Sequence, residues 1–217
     1  MNYQLAVFDL DGTILDTLED LYHAINYALR ENGPPERTLD EIRRFVGNGI
    51  RKLVERAVPD GSSEEQICRV HASFDAYYPQ HCADHTQPYR GIPAMLTALR
   101  EAGMLTAVVS NKPDYGVQSL MVDYFPGLFD DAVGERAGVR RKPAPDAVLA
   151  VLEKLGVPRE QAVYIGDSDV DIETAKQAGM PCISVDWGFR SVAFLIDHGA
   201  KLIVSSPAEL ERLLLGK

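Results

Sequence analysis

The 217 residues are 46% hydrophobic, with 22 Lys+Arg against 32 Asp+Glu and a formal net charge of -10. That is enough apolar chain for one cored domain with a sizeable insertion, and the acidic balance argues against nucleic acid or an anionic membrane while suiting a divalent cation held by clustered acids. No stretch approaches the roughly 18 apolar residues of a membrane span, no basic-then-apolar leader opens the chain, and Cys68, Cys82 and Cys182 form no disulfide framework, which points to reduced thiols in the cytoplasm.

The first predicted strand covers 4–9 and ends in Asp9-Leu10-Asp11-Gly12-Thr13. Residues i and i+2 of a strand point the same way, and Asp-Gly turns the backbone sharply. Two carboxylates so close demand a cation between them or a proton on one. From about Asp16 to Tyr77 the pattern is helical, with no strand in it. Leu18, Leu21, Ile25, Ala28 and Leu29 make one apolar stripe. Gly33-Pro34-Pro35 stops that helix, Gly47-Asn48-Gly49 breaks a second, and Pro59-Asp60-Gly61 precedes a third, capped by Ser62 or Ser63 and running towards Tyr78.

From Pro88 the rhythm changes. Helices are predicted over 92–101, 115–123, 145–155 and 171–178, and strands over 105–109, 129–133, 162–165 and 182–185. The segments 191–197, 202–204 and 207–215 complete the series. Alternating strands and helices predict an α/β fold, a parallel sheet covered on both faces.

Open parallel sheets bind ligands beyond the carboxyl ends of their strands. Those tips carry Asp9, Asp11, Gly12 and Thr13; then Ser110, Asn111 and Lys112; then Arg140-Arg141-Lys142-Pro143 ahead of a helix; then Gly166-Asp167-Ser168-Asp169-Val170-Asp171. Each cluster alone has a plainer reading. Asp11-Gly12 is a turn, Ser110-Asn111 a loop, Arg140 to Lys142 a solvated charge run, and Asp167 to Asp171 a helix cap. Gathered together, they suit phosphoryl transfer, which needs countercharge, alignment and protonation of the leaving alkoxide. Mg²⁺ takes oxygen ligands, and Asp9 and Asp167 can supply them. Lys142 offers a point charge, and Ser110 and Asn111 offer hydrogen bonds. One aspartate can be the nucleophile and its neighbour the acid and base.

A calcium loop over Asp167, Asp169 and Asp171 fails, because Ile172 and Ala178 stand where glycine and glutamate are needed. Cys68, His71, His81, Cys82 and His85 lack zinc-module spacing and read as ordinary helical residues, and His23 and His198 as lone surface groups.

With these four motifs in order, the chain resembles the haloacid dehalogenase-like phosphohydrolases. The resemblance implies a Rossmann-like parallel sheet from 1–15 and 82–217, with a mobile helical cap over 16–81. It implies Asp9 as nucleophile and Mg²⁺ ligand, and Asp11 as general acid and base with its backbone carbonyl on the metal. Gly12, Thr13, Ser110, Asn111 and Lys142 would bind the phosphoryl group. Asp167 would ligate Mg²⁺, with Ser168 and Asp171 supporting the site. Phe45 to Leu53 and Trp187-Gly188-Phe189-Arg190 are similar to the phosphoglycolate phosphatase branch. Gly47, Asn48, Gly49, Arg51 and Lys52 become cap candidates for substrate contact, with Arg51 or Lys52 meeting a small carboxylate.

The implied activity is Mg²⁺-dependent hydrolysis of a small phosphate ester, phosphoglycolate foremost, by a cytoplasmic monomer or homodimer with no nucleic-acid or membrane partner. A sugar-phosphate mutase would carry a cap histidine where Leu21 stands, and a dehalogenase would not need Asp11. Pyrophosphate remains an alternative substrate, and a phospho-receiver domain is the non-enzymatic alternative.

Overall fold

The computed structural model describes residues 3–216. Strand β1 (Leu5–Phe8) leads through a two-residue strand, β2 (Leu15–Asp16), into four helices: α1 (Leu18–Asn32), α2 (Leu39–Phe45), α3 (Ile50–Ala57) and α4 (Glu64–His81). The chain returns through β3 (Gln87–Pro88). It then alternates α5 (Ile92–Glu101), β4 (Leu105–Pro113), α6 (Asp114–Tyr124), β5 (Asp131–Glu135), α7 (Asp146–Leu155), β6 (Ala162–Gly166), α8 (Asp169–Ala178) and β7 (Cys182–Val185). The short α9 (Val192–Asp197), β8 (Ile203–Val204) and α10 (Pro207–Leu215) close the fold.

Six strands form one sheet in the order β5-β4-β1-β6-β7-β8, every neighbouring pair parallel. The all-apolar reading of β1 follows from its central place. Leu5 and Val7 enter the core with α7 and α8, while Ala6 and Phe8 enter the opposite core with α5, α6 and α10. The four inserted helices enclose a separate apolar core, in which Leu21, Ile25 and Leu29 of α1 meet Val70, Phe74 and Tyr78 of α4. This is the stripe expected from the sequence, buried against a neighbouring helix.

Three local features differ from the sequence expectation. β2 and β3 pair antiparallel, Leu15 with Pro88 and Asp16 with Gln87, inside or beside a stretch read as all helix. Two residues are too few to show alternation. Asp20, buried one turn into α1, accepts the backbone N–H groups of His85 and Thr86 at 2.9 and 2.8 Å and the Thr86 hydroxyl at 2.7 Å. It thereby ties α1 to the strand that leads back to the sheet. β4 runs on to Pro113 instead of ending at 109, with its register against β5 broken between Val109 and Pro113. Finally, α8 begins at Asp169, because Ser168 and Asp171 form a reciprocal capping box.

Candidate active site

β1 lies between β4 and β6, so the chain departs to opposite sides at its carboxyl end. That reversal opens a crevice at the tips of the three central strands. Asp9 follows β1, Ser110 to Lys112 occupy the irregular end of β4, and Asp167 follows β6.

Lys142 is at the centre. Its Nζ is 2.8 Å from Asp9 Oδ1 and 2.8 Å from Asp171 Oδ1, and it donates to the Tyr164 hydroxyl at 3.0 Å. Asp171 also accepts from the backbone N–H and hydroxyl of Ser168, at 3.1 and 2.6 Å. Asp171 thus serves the helix cap with one carboxylate oxygen and Lys142 with the other. Ligand atoms of Asp9, Asp167 and Asp171 lie within 4.8 Å of one another. Burial, then Asp171 and Asp167, hold the Asp9 carboxyl well above its usual range against the opposing pull of Lys142. Burial and Asp171 push Asp167 up to about 7. Burial alone would lower Lys142, but Asp171 and Asp9 outweigh it and leave it raised.

Three clustered carboxylates against one ammonium leave an excess of negative charge in a buried place. A small divalent cation answers that excess, and the oxygen-only donor set suits Mg²⁺. The carboxylates of Asp9 and Asp167 fit that ion. The carboxylate of Asp11 stands outside this cluster.

Asp11 Oδ1 accepts from Thr17 Oγ1 at 2.7 Å and from Lys112 Nζ at 3.1 Å. Gly12 has φ +84°, and a Cβ there would stand 2.5 Å from Asp167 Oδ2. No side chain fits. Its N–H goes to the Leu15 carbonyl, and the Thr13 hydroxyl leans towards Asp167 Oδ1 at 3.4 Å. Gly12 and Thr13, expected at the phosphoryl group, also shape the seat of Asp167.

Ser110 is buried beside Asp9 and accepts the Lys112 backbone N–H at 3.1 Å. The Asn111 amide accepts from Lys142 N at 2.8 Å and donates to Lys142 O at 3.0 Å and Gly47 O at 3.1 Å. This side chain holds the lysine's backbone and a loop of the inserted helices.

The resulting cavity encloses about 550 Å³ including its open mouth. Its far wall comes from Leu21, Val46, Gly47, Gly49, Ile50 and Leu53. Of the helical candidates, Gly47 and Gly49 line it, whereas Asn48, Arg51 and Lys52 do not. Arg51 binds Glu55 at 2.8 Å and Glu64 at 2.6 Å, and Lys52 binds Glu55 at 2.6 Å. Arg51 and Lys52, expected to meet a substrate carboxylate, here turn their charges to these acids and stand outside the cavity lining.

Comparison with known proteins agrees with this geometry. A family model described as haloacid dehalogenase-like hydrolase matches residues 6–185. The chain belongs to that family. The phosphoglycolate phosphatase of Aquifex aeolicus is 34% identical over 212 residues, spanning 97% of this chain and 96% of the relative. That of Pseudomonas putida is 33% identical over 98% of this chain and 79% of its own length. A crystal structure of a protein assigned as a phosphoglycolate phosphatase, from Lactobacillus delbrueckii subsp. bulgaricus, superposes with TM-score 0.95 at 42% identity over the whole of both chains. This member of the haloacid dehalogenase-like hydrolases is accordingly an enzyme of the phosphoric monoester hydrolase class.

Several site residues of this hydrolase had no role in the sequence reading. Tyr164 donates to the Val109 carbonyl at 3.2 Å from inside an otherwise apolar strand, and a buried tyrosine there was the available signal. The Phe189 N–H donates to Asp167 Oδ2 at 2.7 Å, and Trp187 Nε1 donates to the Thr13 carbonyl at 3.0 Å. Arg190 donates to the carbonyls of Arg43 and Val46 at 2.7 and 2.6 Å, clasping the C-terminal end of α2. Lys112, in contact with Asp11 and with the Tyr78 hydroxyl of α4, was visible only as part of a polar cluster. Cys68, Cys82 and Cys182 are all free, and among the described residues no helix is long and apolar enough to cross a membrane.

Proposed function

We propose that the chain hydrolyses a small phosphate ester, 2-phosphoglycolate foremost, through an aspartyl-phosphate on Asp9. The observation that supports this most is the convergence of Asp9, Lys142, Asp167 and Asp171 beside Asp11, drawn from chain positions far apart. The names of the relatives supply the substrate class.

In this reading an oxygen of Asp9 attacks phosphorus in line with the ester bond. Lys142 and the Ser110 hydroxyl meet the equatorial oxygens, where charge accumulates. Bound Mg²⁺, on the carboxylates of Asp9 and Asp167 and the backbone carbonyl of Asp11, would supply countercharge to the phosphoryl group. Asp11 protonates the departing alkoxide. It then takes the proton of the water that attacks phosphorus and frees Asp9. Asn111 fixes Lys142 through its backbone, so the charge needs no rearrangement.

The helices over 16–81 act as a cap on the core formed by 1–15 and 82–217. Closing them over the crevice excludes water and completes the apolar wall. The β2–β3 pair, held by Asp20, is the hinge. A mutase is disfavoured because Leu21, an apolar residue in the cavity wall, can neither donate nor accept a proton.

The test is phosphate release from a panel of small phosphate esters, with Mg²⁺ and with chelator, for the wild type and Asp9→Asn. Metal-dependent turnover that vanishes in the variant is expected. Turnover that survives the substitution contradicts the nucleophile assignment.

A further inference from the structure

Three cations line the cavity: Lys142, Arg190 and Lys112. Two are already spent. Lys142 belongs to the phosphoryl end, between Asp9 and Asp171. Arg190 gives its guanidinium to backbone carbonyls of Arg43, Arg44 and Val46. Lys112 is different. Its side chain is 1% exposed, and its Nζ meets Asp11 Oδ1 and the Tyr78 hydroxyl. An ammonium has three donors, and among the described residues the third has no protein acceptor.

Position gives that donor a use. The acid of the proposed mechanism touches the bridging oxygen of the ester. Lys112 Nζ lies 3.1 Å from an oxygen of the same carboxylate, about one hydrogen bond beyond the leaving oxygen. The rest of the leaving group must pass Lys112 or face Leu21, Ile50 and Leu53. Those side chains cannot solvate an anion, and their low polarity strengthens any charge contact beside them. The Lys112 backbone N–H donates to Ser110 Oγ, so the same strand end carries a phosphoryl contact and this ammonium.

We propose that Lys112 is a specificity-determining residue, its ammonium docking a carboxylate carried one carbon from the ester oxygen, so that phosphorylated 2-hydroxy acids are preferred over uncharged alkyl phosphates of the same size. This rests on the reading of Asp9 and Asp11 as the phosphoryl site. Tyr78 joins the seat from α4, so the anionic substrate is gripped at the seam between core and cap. Arg51 and Lys52 have no part in it.

The test compares kcat/KM for 2-phosphoglycolate and for ethyl phosphate, which has the same reach and no carboxylate. The wild type should prefer the acid at least about tenfold, and Lys112→Met should lower kcat/KM for the acid by about the same factor, mainly through KM, with ethyl phosphate little changed, so that the preference collapses. Lys112→Arg should restore part of it. Equal use of the two esters by the wild type overturns the proposal without recourse to any variant, as does a Lys112→Met enzyme that keeps the wild-type preference. Loss of preference with Asp9→Asn still active would indict the phosphoryl-site reading instead. An unchanged preference with Asp9→Asn inactive would indict Lys112 alone.

Discussion

The two walls of the cavity are made differently. The core wall is charged and buried, and it is cross-linked by side chains reaching over from separate strand ends: Lys142 to Asp9 and Asp171, Asn111 to Lys142, Thr13 to Asp167. The cap wall is apolar and reaches the site through Leu21, Val46, Ile50, Leu53 and the backbone of Gly47 and Gly49. The cap's own charges pair with each other away from this cavity, as Arg51 does with Glu55 and Glu64. The contrast separates chemistry, which needs fixed countercharge, from enclosure, which needs shape and exclusion of water.

Substitutions on the two walls should therefore fall on different kinetic terms. On the core side, Asp9→Asn should cost at least about 10³-fold in kcat, with the fold retained by circular dichroism. Lys142→Met removes the countercharge of two buried carboxylates. It should cost about 10²–10³-fold in kcat and lower Tm, because the two carboxylates are left unpaired. At the seam, Arg190→Ala releases the end of α2 and should raise KM about tenfold with a smaller change in kcat. Elsewhere on the cap, Arg51→Ala and Lys52→Ala should leave kcat/KM within about twofold of wild type, because neither side chain lines the cavity. A large loss in kcat from either would erase the distinction between the walls.

Proton and metal should compete on the core wall alone. Asp167, pushed up to about 7 from an ordinary 3.8, keeps a proton in the fold that the unfolded chain releases at lower pH. That contribution is fully present below the unfolded value and is lost as pH rises through about 7. On the proposed reading, Mg²⁺ would claim the same oxygens. The rise in Tm on adding Mg²⁺ should be larger at about pH 8 than at about pH 5, and a rise independent of pH would contradict the metal placement.

The same contrast explains what the sequence made legible. Asp9 and Asp167 stand at the ends of β1 and β6, whose apolar runs are plain to read, and topology alone brings such ends together, whereas Lys142 reaches them from the loop ahead of α7. Asp171 was legible as a capping residue because a short acid in the first turn of a helix complements the free N–H groups there. The cap residues were harder. Arg51 and Lys52 stand out by charge, and what charge alone does not show is that a helix surface offers acids at i+3 and i+4, where Glu55 pairs with both. The part Gly12 and Thr13 play in the turn that seats Asp167 rests on hydrogen bonds and a close approach that the sequence does not display. Arg190 and Lys112 act on partners distant in the chain, and no periodicity or spacing marks such contacts.

The most direct measurement is chemical trapping of the phosphorylated enzyme. Asp11→Asn, in which hydrolysis of the intermediate is slowed, would be mixed with an aryl phosphate and Mg²⁺, quenched, reduced with borohydride and mapped by mass spectrometry. The account predicts conversion at Asp9 alone, absent when Asp9→Asn is added. Conversion at another residue, or steady turnover with Asp9 never modified, would contradict it.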